Sequence, residues 1–139
     1  MPGWSGDFDW DGFVPYDELP RAFNPPAGMV VTANNKIVPD SYPHFLARDW
    51  EPSFRARRIT QRLEGRRHDR ESFRAIQSDV VSLMAREIMP YMLAAKPATE
   101  TGRAARAMMV TWDGDMARDR PEPLIFAAWY RNLTRLLYA

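Results

Sequence analysis

Pro25-Pro26-Ala27-Gly28-Met29-Val30-Val31-Thr32-Ala33-Asn34-Asn35 runs from a proline turn, through a short apolar stretch, to two adjacent side-chain amides. Pro25 and Pro26 fix φ, Gly28 permits a tight bend, and Met29 to Thr32 are β-formers, so the segment has few conformations to lose on ordering. The pattern predicts a strand that delivers an amide to a fixed place. An Asn at a strand end donates from its NH2 group, and a donor held rigidly in a water-poor cleft stabilises negative charge developing on an acyl oxygen. The same two residues also fit a turn pair that merely caps the strand.

Around this stretch, residues 1 to 38 are rich in Gly, Pro, Asp and aromatic side chains and poor in helical periodicity. They read as a section of short strands and turns, with Phe13 to Tyr16 and Met29 to Thr32 as the strands. Two strands alone are marginal in water, so Trp4, Phe8, Trp10, Phe13, Tyr16 and Phe23 need a surface to pack on. From Pro52 onward the pattern is helical. Pro52 suits a first-turn position, Phe54, Ile59 and Leu63 form an apolar face, and Gly65 can end the helix in the left-handed conformation. A second helix is expected from Arg70 to Ala95, capped by Asp69 and broken or kinked at Pro90. A third covers Glu100 to Thr111, and a fourth begins near Glu122 and runs to the end of the chain. The expectation is therefore α+β with helix dominant: a single partial domain, with a strand and turn section over 1–38 and a helical section over 52–139.

The chain has 139 residues and 45% hydrophobic content, the size and composition of one globular domain. Nineteen basic residues, all arginine except Lys36 and Lys96, stand against 18 acidic ones, so a net charge of +1 supplies no global field toward nucleic acid or an anionic membrane. Arg55, Arg58, Arg62 and Arg66 recur at helical spacing, with Arg57, Arg67, Arg70 and Arg74 nearby. Glu64, Asp69 and Glu71 are close enough in sequence to pair with them, so the row reads as a solvated or ion-paired face rather than a phosphate-binding one. Neither a nucleic-acid nor a membrane partner is expected. No apolar run approaches the roughly 20 residues of a membrane helix, and Met1-Pro2-Gly3-Trp4 lacks the charged start and following apolar stretch expected of a targeting segment. Without Cys there is neither a thiolate metal site nor a Cys nucleophile. His44 and His68 lack a zinc-binding spacing, and Asp7, Asp9 and Asp11 lack the Gly and closing Glu of a calcium loop. Asp79 and Asp113 read as helix-end or buried-pair residues, and the methionines from Met84 to Met109 as core filling.

Gly3 to Pro20, Asn24 to Gly28 and Thr32-Ala33-Asn34-Asn35 together resemble the later part of the β-chain of the penicillin acylase (penicillin amidase) family. Asp49-Trp50, Phe54-Arg55-Ala56-Arg57-Arg58-Ile59, Gln77-Ser78-Asp79-Val80-Val81-Ser82 and Trp112-Asp113-Gly114-Asp115-Met116 extend the resemblance, in order, over nearly the whole chain. It implies a C-terminal-side fragment of a four-layer αββα N-terminal-nucleophile hydrolase that cleaves a linear amide bond. In such enzymes a new terminal Ser attacks, and its own α-amine, with a pKa near 8, serves as base. Met1-Pro2-Gly3 offers no such residue, and Ser5 reads as a turn residue. The chain alone is therefore expected to be inactive and to depend on the remaining α- and β-chain sequence.

By the same resemblance Asn34 matches the oxyanion-hole Asn and Arg55 the active-site Arg that orients it, with Asn35 as the fallback if the register slips by one. Taken alone, without the resemblance, Arg55 reads as a solvent-facing helix residue. The resemblance further implies an acylated amide as substrate, no cofactor beyond the calcium that some family members bind, and a periplasmic or secreted whole enzyme. Self-association of the isolated chain is expected from apolar surface left uncovered. The competing expectation is a non-catalytic interaction or assembly domain that retains the scaffold.

Overall fold

A computed structural model of the chain describes residues 3–7 and 9–138; Phe8, one of the aromatic residues expected to need a packing surface, lies outside them. Five α-helices follow an irregular first third: α1 Phe54–Leu63, α2 Arg70–Gln77, α3 Leu83–Ala94, α4 Glu100–Met109 and α5 Glu122–Tyr138. The core lies where α3, α4 and α5 meet. Ala85, Met89 and Met92 of α3 pack with Met109 of α4, Phe126 of α5 and Trp112 of the intervening turn. The Trp112 indole donates to the Asp115 carbonyl at 2.8 Å and its ring lies 5.5 Å from that of Phe126, so the one polar atom of this ring is satisfied. Met108, expected in the core, is 44% exposed.

The helix starts follow from local chemistry. Asp69 accepts from the Ser72 backbone N–H while Ser72 returns a bond to the Asp69 N–H, a reciprocal cap on α2. Ser82 and Thr99 cap α3 and α4 through their side chains. Gly65, beyond the end of α1, has φ of 73° as expected. Pro52 does not enter the first turn: Ser53 occupies the cap position and α1 begins at Phe54.

Two expectations are corrected. The long helix over Arg70 to Ala95 is two helices, and the break falls at 78–82 rather than at Pro90, which lies inside α3. At the break the Asp79 side chain takes the Val81 N–H at 3.2 Å, and Val81 forms an isolated antiparallel bridge with Asp115. Ser82 N–H donates to Gly114 O and Met116 N–H to Val80 O. Side-chain partners and main-chain partners distant in sequence thus replace the helical bonds there. At Pro90, buried Met89 and Met92 hold the helix against the core on both sides of the missing donor. Among the described residues there are therefore five α-helices rather than four.

The expected strands are also absent among the described residues, where Val81 with Asp115 is the only bridge. Pro15, with φ of −54°, instead starts a single 3-10 turn at Tyr16–Glu18, closed by Glu18 N–H on Pro15 O at 3.0 Å. Met29 to Thr32 passes through without ladder partners, because nothing in the described chain offers an edge to pair with. The described aromatic side chains of this section stay in solvent: Trp10 is 91%, Phe13 98% and Phe23 90% exposed. Between α1, α2 and the start of α3 an open, largely apolar groove of about 740 Å³ is lined by Val30, Ile59, Leu63, Phe73, Ile76 and Leu83, among others.

Candidate functional site

The turn that begins the 25–35 stretch is closed by Gly28 N–H on Pro25 O at 2.8 Å, and Gly28 has φ of 66°. The stretch ends on a second tight turn. Ala33 is buried, and Asn34 sits in the left-handed region at φ of 63°, which Asn tolerates better than most residues. Asn35 holds this turn in place: its Oδ1 accepts the Ala33 N–H at 3.1 Å and its Nδ2 donates to Lys36 O. The Asn34 carbonyl accepts the Glu51 N–H at 2.9 Å, tying the turn to the segment that leads into α1.

Arg55, in the first turn of α1, completes the arrangement. Its Nη2 donates to Asn34 Oδ1 at 2.7 Å and to Ala33 O at 3.0 Å. A guanidinium only donates, so the atom it meets is the amide oxygen, and the orientation of the Asn34 amide is fixed by that partner. The Asn34 NH2 group consequently faces away from Arg55, and no hydrogen bond occupies it among the described residues. A cleft of about 530 Å³ opens beside it, lined by Asn34, Asp49, Trp50, Glu51 and Pro52. The structure therefore brings Asn34 and Arg55 together, while the oxygen and the nitrogen of the Asn35 side-chain amide are both engaged within the turn. Asn34 itself is exposed to solvent, so in this chain the donor is oriented but not yet enclosed.

The rest of the arginine row is engaged elsewhere. Arg58 grips Asp79 through two bonds, Nε to Oδ1 at 2.8 Å and Nη2 to Oδ2 at 2.6 Å, a bidentate fork. Arg62 Nε lies 3.3 Å from the same carboxylate. The fork from Arg58 holds the Asp79 carboxyl below the usual carboxylate range and outweighs the opposing effect of its burial; the Val81 N–H and the charges of Arg58 and Arg62 add to the lowering. Arg57 pairs with Glu87 of α3 and lies over the Phe54 ring. Glu64, Asp69 and Glu71, expected to pair with the row, take no part in an ion pair among the described residues. Sequence reading placed Asp79 as a buried-pair residue without naming its partner. The signal was present in the Arg55, Arg58, Arg62 spacing, which puts all three on one helix face.

Other candidates stand apart from this pair. Ser5 Oγ accepts the Asp7 N–H, a turn contact. His44 pairs with Glu18, and His68 contacts Leu63 O and Ser72. Asp113 is largely exposed and ion-paired with Arg120 rather than buried. Among the described residues no group of three or more His, Cys, Asp or Glu side chains could hold a metal ion. No described helix is long and apolar enough to cross a membrane.

Comparison with known proteins gives one family. The model described as penicillin amidase matches residues 1–139. The chain is 36% identical to the penicillin acylase 2 proenzyme of Pseudomonas sp. strain SE83, over all of this chain and 18% of that protein. It is 38% identical to the acyl-homoserine lactone acylase QuiP of Pseudomonas putida over 63% of this chain and 11% of that protein. Against QuiP of Pseudomonas aeruginosa the identity is 28%, over 99% of this chain and 18% of the relative. The chain thus spans less than a fifth of the length of these relatives.

Proposed function

The chain belongs to the penicillin amidase family, and on that premise we propose that it forms part of an amidohydrolase in which Asn34 stabilises the tetrahedral intermediate and Arg55 orients it. The observation that supports this reading is the 2.7 Å bond from Arg55 Nη2 to Asn34 Oδ1, which turns the Asn34 NH2 outward as a donor. When a nucleophile adds to an acyl carbon, the carbonyl oxygen gains a full negative charge. A donor already aimed at that oxygen needs no reorganisation at the moment of reaction. Arg55 remains protonated throughout, so it supplies orientation and positive potential rather than a proton.

The groups bonded to Asn34 are the Arg55 guanidinium at its side chain and the Glu51 N–H at its carbonyl, neither of which can attack an acyl carbon. The nucleophile and its base come, in this reading, from acylase sequence outside these 139 residues, and the chain alone does not turn over substrate. That remainder also covers the exposed aromatic residues of the first third. The substrate class in this reading is an acylated amide with a linear scissile bond; the relatives are named as a penicillin acylase and as acyl-homoserine lactone acylases.

The test is reconstitution. The chain is mixed or co-expressed with an upstream acylase segment, and release of free amine from a penicillin and from an acyl-homoserine lactone is followed. Turnover that requires both parts and disappears on Asn34→Ala is expected. Binding of the two parts without turnover on either substrate overturns the catalytic reading in favour of a scaffold that only assembles.

A further inference from the structure

We propose that Asp79 is the positioning residue that sets Arg55 on Asn34. For its catalytic meaning the inference rests on the site reading above; for its geometry it stands on the contacts alone. The α1 helix presents Arg55, Arg58 and Arg62 on one face, and only one of its residues, Ala56, is buried. So little buried surface fixes the rotation of α1 about its own axis only loosely. The fork from Arg58 to Asp79 supplies a directional hold that packing does not, while Arg62 Nε lies 3.3 Å from the same carboxylate as an ion pair without a hydrogen bond.

Asp79 is itself anchored. It lies in the link between α2 and α3, its carboxylate takes the Val81 N–H, and the link is bonded to the 114–116 turn through Ser82 N–H to Gly114 O and Met116 N–H to Val80 O. That turn also receives the Trp112 indole, a core residue. A continuous set of bonds therefore runs from the core to Asp79, to Arg58, and one helical turn back to Arg55. The clamp has a second consequence. Three guanidinia share this face, and holding Arg58 and Arg62 on Asp79 leaves Arg55 alone to occupy Asn34 Oδ1 and Ala33 O. The Asp79 side chain is only 11% exposed, so water competes weakly for its oxygens.

The experiment uses the 139-residue chain labelled with nitrogen-15 and reads two side-chain signals: the Asn34 NH2 pair and the Trp112 indole N–H, which reports the core. In Asp79→Asn the Asn34 pair is expected to move to the position of a free, rotating amide while the Trp112 signal stays in place, and Asp79→Glu is expected to restore the Asn34 signal in part. Arg58→Gln, which leaves Asp79 with Arg62 and the Val81 N–H, is expected to reproduce the Asn34 change and decides the matter if Asp79→Asn unfolds the chain. An Asn34 signal unmoved in Arg58→Gln and in folded Asp79→Asn overturns the proposal, as does an Asn34 change in Arg58→Gln only where Trp112 is lost with it. Should the Asn34 signal respond as expected while Arg55→Met leaves turnover of the reconstituted enzyme intact, the positioning stands and the catalytic reading falls.

Discussion

Arg55 Nη2 donates to Asn34 Oδ1 at 2.7 Å across 21 residues of sequence, and the same nitrogen reaches Ala33 O at 3.0 Å. One side chain thus braces the turn that Asn35 closes and orients the amide that the turn carries. Orientation of Asn34 is consequently a property of helix α1 as much as of the proline-started stretch. Replacing Arg55 with Met should leave the fold intact and the amide free to rotate. Loss of a hydrogen bond to a charged group is worth about 1.5–3 kcal/mol, so kcat in a reconstituted enzyme should fall roughly 10- to 100-fold. Steady-state kinetics on an acylated amide would check it.

Acid stability should depend on Asp79. Its carboxyl is held below its ordinary value chiefly by the Arg58 fork. A depressed folded value means that the pair stabilises the fold fully above the unfolded value of about 3.9 and loses that contribution as pH falls through the folded value. Near-ultraviolet circular dichroism between neutral pH and pH 2 should show tertiary signal lost below about pH 4, and Asp79→Asn should be less stable at neutral pH with a shallower acid limb. At neutral pH, Arg58→Ala leaves the carboxylate without its fork and should cost about 1–3 kcal/mol in a denaturant titration.

Much of this was readable beforehand and some was not, for identifiable reasons. The Asp69 cap and the left-handed Gly65 are local, set by side chains within three residues, and the sequence carries them openly. The α2–α3 break depends on Gly114, Asp115 and Met116, more than thirty residues away, so apolar periodicity alone ran the two helices together and put the break at Pro90. Phe13 to Tyr16 and Met29 to Thr32 have strand composition, but a strand needs an edge to pair with, and composition does not show whether one is present. Asn34 and Arg55 were placed by family resemblance rather than by any property of Asn or Arg; the contact between them belongs to the fold. Asp79 was visible as a paired acid, and its tie to the Arg55 helix emerged only from the geometry.

The turn at Gly114 should tolerate no side chain. Its φ is 82°, and an added Cβ would lie 2.9 Å from Arg86 Cγ and 3.0 Å from Ser82 O, the carbonyl side of the link that carries Asp79. Gly114→Ala should destabilise by more than the roughly 1 kcal/mol that a compatible Gly→Ala change would add, with the opposite sign. Thermal unfolding of the variant beside Met109→Ala gives a scale, since Met109 is fully buried in the core and its truncation should cost about 2–5 kcal/mol.

The isolated chain should self-associate. Trp10, Phe13 and Phe23 are each at least 90% exposed, and the groove beside α1 is lined largely by apolar side chains. Patches of this kind are uncommon on monomers. Light scattering should give a mass above that of one chain and rising with concentration; a monomer at all concentrations would argue that the exposed aromatic residues need no cover.

The central claim is that the Asn34 NH2 group donates to the acyl oxygen in the transition state. Asn34→Asp tests it most directly, because the change keeps size and shape while turning a donor into an acceptor. In the reconstituted enzyme, the account predicts that kcat for Asn34→Asp falls by about 10²–10³ with KM little altered, the loss typical of one oxyanion donor. A variant that keeps its kcat would contradict it.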